Sequence, residues 1–149
     1  MKGGYKTMEN ELIPNNQAAY GEIISIIERS RANAFRAVNR ELISMYWEIG
    51  AYVSNKVKNE GWGKSVVADF ADFMESDRPD IKGFSASNIW RMRQFYELYK
   101  ENEKLAPLVR EINWTQNLII MSRAKTEEAR EFYLLLCSKN NYTKRELER

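Results

Sequence analysis

Apolar residues recur at helical intervals from about Gln17 to Asn59, and no proline interrupts these roughly forty residues. The positions on this apolar row are Tyr20, Ile23, Ile27, Ala34, Val38, Leu42, Met45, Ile49 and Val53, with Ile24, Phe35 and Tyr46 beside them. The pattern predicts one long helix or two nearly coaxial helices. At about 1.5 Å per residue the helix would measure about 60 Å, more than the width of a compact domain of this size. We therefore expect part of it to project or to pack against another chain, and a homodimer is the simplest arrangement.

Several arginines bear on the role of this helix. Arg31 interrupts the apolar row, which indicates either a kink or a partner that satisfies the guanidinium. Arg29, Arg36 and Arg40 follow one another at spacings of seven and four, so they share a helical face. Such a face is either solubilising charge or a surface for an acidic partner.

The rest of the chain contains shorter helical patterns, and it lacks the alternation and Asn-Gly turns of β-hairpins. Gly61 and Gly63 end the long helix. The later predicted helices are Lys64–Met74, Ala86 to near Asn102, a short one capped by Thr115 through Met121, and Glu127–Asn140 capped by Thr126. The predicted fold class is all-α: a flexible segment, residues 1–16, precedes a multi-helix domain, residues 17–149, with a long N-terminal helix and a helix-turn-helix-like pair. The connector in that pair, about ten residues, is longer than the usual turn of about three or four.

The second helix of the pair has the residues of a recognition helix. Ser85 is suited to cap its start, and Phe84 and Ile89 stand where a hydrophobic staple would form. A buried seam is predicted from Ile89, Met92, Tyr96 and Tyr99. The residues turned away from this seam are Ser87, Trp90, Arg91 and Gln94, with Arg93 at the edge. Serine, arginine and glutamine near a helix start contact bases and phosphates in DNA-binding proteins, but the same residues also occur on ordinary solvated faces.

Four motifs resemble those of the N-terminal domain of the YhcG-like nucleases, and they occur in the same order. They are Leu42-Ile-Ser-Met-Tyr-Trp-Glu-Ile-Gly50, Gly61-Trp-Gly-Lys64, Gly83-Phe-Ser-x-x-Asn-Ile-Trp-Arg-Met-Arg-Gln-Phe-Tyr96, and the run from Glu131-Phe-Tyr133 to Tyr142-Thr-Lys-Arg-Glu-Leu-Glu-Arg149. The similarity extends from Ala18 to the last residue. It implies a helical DNA-binding-type module that precedes a PD-(D/E)xK nuclease domain. The family often has serine where this chain has Thr143, and threonine also caps helices.

The composition argues against a catalytic centre in this chain. There is no histidine, which removes histidine-dependent general-base catalysis, the usual nucleophilic triads and most zinc sites. Pro79-Asp80-Ile-Lys82 contains letters of the nuclease motif, but that chemistry needs its carboxylates on adjacent strands, and this segment is predicted as a loop between helices. We predict no catalytic residue, no metal site and no cofactor.

The length of 149 residues is that of one domain, and the net charge of +2 is too small to identify a nucleic-acid partner by itself. No apolar run approaches the roughly 20 residues that cross a bilayer, and the N-terminus lacks the apolar core of a signal peptide. The single cysteine, Cys137, lies in an apolar helical pattern, which predicts a buried free thiol and a cytoplasmic location. Thr143-Lys-Arg-Glu146 is a capping box only three residues before the last residue, so we expect a fragment of a longer protein.

Two functional hypotheses are consistent with the sequence. The first is a DNA-binding and dimerisation module, non-catalytic by itself, that delivers a C-terminal nuclease domain to DNA. Its candidate contacts are Ser85, Ser87, Asn88, Trp90, Arg91 and Gln94, with Lys64, Lys82 and Arg93 as phosphate partners. Asn88 has the alternative role of bracing the connector, and Trp90 that of covering a neighbouring helix. The second hypothesis is a protein-interaction scaffold that acts through the long helix and exposed aromatic residues, without a membrane partner.

Overall fold

The computed structural model describes the secondary structure of residues 2–140 and the side chains of residues 16–139. Its helices are α1 (Lys2–Glu60), α2 (Lys64–Asp77), α3 (Ala86–Tyr99), a short 3-10 helix (Leu108–Glu111), α4 (Trp114–Arg123) and α5 (Glu127–Asn140). Residues 2–140 contain no β-strand. The predicted all-α class and the long first helix are therefore confirmed.

Some predicted helix bounds differ from those observed. α1 begins at Lys2 rather than near Gln17, and it remains helical through Arg31. α2 continues to Asp77 rather than Met74, and α3 ends at Tyr99 rather than near Asn102. The flexible segment 1–16 stays a prediction, because the side chains of residues 1–15 lie outside the described part of the chain.

The chain divides into two compact units, residues 1–38 and residues 39–149. In the first unit the described side chains of α1 are almost all exposed to solvent. They include large apolar side chains: Tyr20, Ile23, Ile24, Ile26, Ile27, Phe35 and Val38. The second unit contains two apolar clusters, which fix the position of α3.

The larger cluster surrounds Phe95, which is fully buried. The ring of Phe95 meets the rings of Trp47 and Trp114 edge-on, with centroids 5.6 and 5.2 Å apart. The predicted seam of α3 is wrong at one position, because Phe95 occupies the interior and Tyr96 is half-buried. α3 is flanked by aromatic residues from both α1 and α4, so its buried face is wider than a single row.

The smaller cluster consists of Val53, Val67 and Ile89, one residue from each of the first three helices. Phe84 and Trp90 are partly buried against it. The contact of Phe84 with this cluster is consistent with the predicted staple to Ile89. Through this cluster the N-terminal half of α3 is attached to α1 and α2.

A close approach between α1 and α3 depends on Gly50. A Cβ atom built on Gly50 would lie 2.1 Å from the carbonyl oxygen of Met92 and 3.1 Å from the Cβ atom of Tyr96. Gly50 is buried and ends the first of the four family-like motifs. Only a residue without a side chain lets the two backbones come this near.

The ends of the helices follow local capping rules. Gly61, with a φ of +67°, ends α1 as predicted, and Thr126 accepts a hydrogen bond from the Ala129 N–H at 3.1 Å, as expected for the cap of α5. The prediction that Thr115 caps α4 is wrong. Asn113 is the cap, and it forms a capping box in which its side chain and that of Gln116 bond to each other's backbone N–H. The capping box predicted at Thr143–Glu146 lies outside the described residues.

Candidate nucleic-acid interface

The loop before α3 turns sharply at Gly83, where φ is +90°. This conformation favours glycine. Two residues later the hydroxyl oxygen of Ser85 accepts a hydrogen bond from the Asn88 N–H at 3.2 Å, so the predicted cap is confirmed. The Gly-Phe-Ser sequence therefore fixes both the direction and the first residue of α3.

Asn88 holds this turn in place with its side chain. Its Nδ2 atom donates to the Gly83 carbonyl at 2.6 Å, and its Oδ1 atom accepts from the indole N–H of Trp114 at 2.9 Å. Asn88 thus braces the connector and joins the start of α3 to the start of α4, which was one of its two predicted roles. Both polar atoms of the amide are engaged within the protein, although its proposed contact with DNA stays a prediction.

Arg93 and Trp90 form a second internal group on the flank of α3. The guanidinium of Arg93 lies 5.3 Å from the Trp90 ring centroid, and its Nε atom donates to Glu97 at 3.0 Å. The buried hydroxyl of Ser54 donates to the same carboxylate at 2.8 Å. Burial raises the pKa of Glu97, but the hydrogen bonds from Ser54 and Arg93, together with the positive charges of Arg93 and Lys100, lower it by more. Trp90 is half-buried and covers the smaller cluster, in agreement with the alternative role predicted for it.

The outer face of α3 contributes to a groove with the end of α4 and the following turn. The groove has a volume of about 260 Å³ and is lined by Arg91, Gln94, Leu118, Met121, Ser122 and Lys125. Arg91, Gln94 and Lys125 are exposed. Among the described residues, neither Arg91 nor Lys125 forms an ion pair, whereas Arg40, Arg78 and Arg93 do. We call this surface the Arg91 groove.

Ser122 and Lys125 were not among the predicted contacts. Lys125 lies 31 residues after Gln94 in a turn between two helices, so no periodicity within α3 indicates it. The sequence feature that could have pointed to Lys125 as a contact is the basic pair Arg123 and Lys125 just before the Thr126 cap. The fold, rather than any local motif, brings Lys125 to the same groove as Arg91.

A larger pocket of about 460 Å³ lies at the start of α3 and has mixed charge. Its lining includes Lys82 and Ser85 together with the carboxylates of Asp72 and Glu75. The negative charges of these carboxylates repel an anion, such as a phosphate, at this pocket. Ser87 is exposed on the first turn of α3.

Lys64 and Arg40 line neither the Arg91 groove nor this larger pocket. Lys64 is exposed at the first position of α2. Arg40 forms a two-pronged pair with Glu111, each hydrogen bond being 3.1 Å long. The Arg40 charge is therefore partly neutralised within the chain.

The residues that contain the letters of the nuclease motif form a local ion pair. Arg78 donates to both carboxylate oxygens of Asp80 at 3.1 and 3.2 Å, and these bonds lower the pKa of Asp80. In the described part of the chain no three His, Cys, Asp or Glu residues are grouped so that they could hold a metal ion. No described helix is long and apolar enough to cross a membrane. Cys137 is buried as a free thiol, as predicted, and burial raises its pKa.

Comparison with known protein families identifies the family of the chain. The model of the DUF1016 N-terminal domain matches residues 22–149, which is most of the chain. Neither the curated proteins nor the solved structures contain a significant match. This protein therefore belongs to the DUF1016 N-terminal domain family, the N-terminal region of YhcG-like proteins.

Proposed function

We propose that this protein is a DNA-binding and dimerisation module that is not catalytic by itself and that delivers a C-terminal nuclease domain to DNA. The resemblance of its four motifs to YhcG-like nucleases implies the nuclease partner. The DNA contact is assigned to the exposed side of α3, and the dimer contact to α1.

The observation that carries the DNA-binding proposal is the Arg91 groove. Two cations with no ion-pair partner among the described residues, Arg91 and Lys125, line one groove beside an exposed amide, Gln94. Unpaired surface cations attract phosphates, and arginine and glutamine can also form paired hydrogen bonds with base edges. Arg91 is the candidate for base contact and Lys125 for phosphate contact.

The other predicted contacts take different places in this proposal. Ser87, one helical turn before Arg91, is a secondary contact. Lys82 lines the separate pocket with Asp72 and Glu75, and Lys82 and Lys64 are more distant phosphate partners. Asn88, Trp90 and Arg93 act mainly by positioning the helix, because their polar groups and ring are occupied by contacts within the chain. Ser85 contributes its hydroxyl to the cap.

The proposal is tested by fluorescence anisotropy with duplex, branched and single-stranded DNA at two salt concentrations. Arg91→Gln and Lys125→Gln should each weaken binding. If the replaced cation neutralises one phosphate, the slope of log affinity against log salt should become shallower by about one. If Arg91 instead contacts a guanine, Arg91→Gln should cost about 1–3 kcal/mol of discrimination between DNA sequences.

Lys58→Gln is the matched control, because Lys58 is an exposed lysine in the last turn of α1 and does not line the groove. It should bind DNA like the parent. If Arg36→Ala and Arg40→Ala weaken binding while Arg91→Gln does not, the DNA-binding face is on α1. If the parent shows no salt-sensitive binding to any probe, the DNA-binding proposal is wrong.

One observation favours the alternative, a protein-interaction scaffold. An apolar pocket of about 200 Å³ is lined only by apolar side chains, including Tyr52, Trp62 and Phe70. Phe73 on α2, three residues after Phe70, is 54% exposed. Exposed aromatic groups of this kind occur at protein interfaces. Binding of a protein partner that barely responds to salt, without DNA binding, would favour this alternative.

A further inference from the structure

The first unit of the chain presents an uncovered apolar stripe with the spacing of a coiled coil. From Tyr20 to Val38 the stripe positions are separated by four, three, four, three and four residues: Tyr20, Ile24, Ile27, Arg31, Ala34 and Val38. This alternation is the heptad repeat that lets two helices pack along one seam. The large apolar members are 45–59% exposed. Arg31 is the one charged residue among these stripe positions, and α1 remains helical there.

Arg31 decides how a second copy would lie on this stripe. In a parallel pair each residue faces its own counterpart, so two guanidinium groups would meet at the same level of the seam, and like charges in contact are destabilising. An antiparallel pair separates the two Arg31 residues by about 6 Å along the axis. If the two-fold axis lies level with Arg29, residue i faces residue 58 − i of the partner. Arg31 then faces the partner's Ile27, and the partner's Glu28, the next residue, lies beside Arg31. The opposite charges then pair across the seam.

The same register also matches large side chains with small ones. Ile24 faces the partner's Ala34, and Tyr20 at one end of the stripe faces the partner's Val38 at the other. Beside the seam, Phe35, which is 76% exposed, lies level with the partner's Ile23 and two residues from its Gly21. A Cβ atom built on Gly21 has no other atom within 4 Å in the described chain. Alternation of large and small residues is what allows facing helices to interdigitate.

We propose that two copies of this chain pair antiparallel through residues 20–38 of α1, about a two-fold axis near Arg29. This inference rests on the dimerisation part of the proposed function and gives it an orientation and a register. Among antiparallel registers this one covers the stripe along its whole length, because its two ends, Tyr20 and Val38, then oppose each other. Arg31 acts as the residue that excludes the parallel arrangement, as single polar residues in coiled-coil seams do.

Disulfide cross-linking in the full chain tests the orientation. Ile24→Cys and Ala34→Cys are co-expressed as two chains with tags of different size, then oxidised mildly. The antiparallel register places these two positions level with each other, so a mixed cross-linked dimer is expected. Ile24→Cys expressed alone should not cross-link, because its two copies would be about 15 Å apart along the axis, beyond the roughly 7 Å that a disulfide spans.

The parent chain, with its buried Cys137, measures background oxidation, and Arg29→Cys on the opposite side of the helix is the matched negative control. Efficient cross-linking of Ile24→Cys alone would overturn the antiparallel orientation. A monomer by light scattering at tens of micromolar would overturn the pairing altogether. Salt-sensitive DNA binding by such a monomer would leave the Arg91 groove standing, whereas a cross-linked dimer that does not bind DNA would refute the DNA-binding function and leave this pairing intact.

Discussion

Gly50 is the position where a single methyl group should have the largest effect on the placement of α3. In Gly50→Ala the new Cβ atom would lie 2.1 Å from the Met92 carbonyl oxygen and 2.7 Å from the carbonyl carbon. Both atoms belong to the backbone of α3, so no side-chain rotation relieves the clash. The two helices must separate by about 1 Å before the contact reaches the roughly 3 Å at which real Cβ contacts begin.

The magnitude follows from two opposing terms. Overpacking a buried contact costs typically about 1–3 kcal/mol, and a clash with backbone belongs at the upper end of that range. Alanine in place of glycine inside a helix returns about 1 kcal/mol. The expected net loss in the free energy of unfolding is therefore about 2 kcal/mol. For a chain of this length that corresponds to a fall in Tm of about 4–8 °C.

Urea and thermal unfolding followed by circular dichroism measure this loss. Gly21→Ala is the matched control, since Gly21 lies in the same helix and an added Cβ atom there meets nothing within 4 Å in the described chain. It should leave stability unchanged or raise it by up to about 1 kcal/mol. If Gly50→Ala is as stable as Gly21→Ala, the close approach of α1 and α3 is not as described and the reasoning fails.

Ile89→Ala should cost roughly 2–5 kcal/mol of unfolding free energy, because Ile89 is 1% exposed, while Arg91→Ala on the opposite side of α3 should change it by less than about 0.5 kcal/mol. Equal losses in urea titrations would contradict the assignment of the two faces. Glu97→Gln should reduce the loss of Tm on acidification, because the pKa of Glu97 is lowered in the folded protein. The stabilising contribution of the carboxylate is full above its unfolded-state pKa, and it disappears as the pH falls through the folded-state pKa. Identical Tm profiles of parent and variant between about pH 7 and pH 3 would rule that contribution out. The purified chain should leave DNA uncut in Mg²⁺, and cleavage that Asp80→Ala abolishes would show that a catalytic centre is present.

The features of α3 that depend on neighbours in the sequence were predictable. Ser85 caps the helix and Gly83 turns the chain because both effects act within a few residues. The same holds for Asn113, whose pairing with Gln116 three residues later is a capping-box signature. The sequence analysis instead predicted Thr115, which is also a capping residue but lies inside the box.

The features that depend on distant residues were not predictable from periodicity. Phe95 is interior because Trp47 and Trp114, 48 positions before it and 19 after it, close around its ring. Lys125 shares a groove with Arg91 only because α4 ends beside α3. In both cases the helix pattern gives the face of a residue, but the packing of other helices decides what covers that face.

The amide of Asn88 has a consequence for how the Arg91 groove meets a ligand. Because one side chain bonds to the turn before α3 and to the indole at the start of α4, the first residues of the two helices that line the groove are held in a fixed position relative to each other. A ligand then has little main chain to order on arrival, so little conformational entropy is lost on binding. If the Arg91 groove binds DNA as proposed, we expect it to favour ligands whose charges match the spacing of its own cations and to bind others poorly.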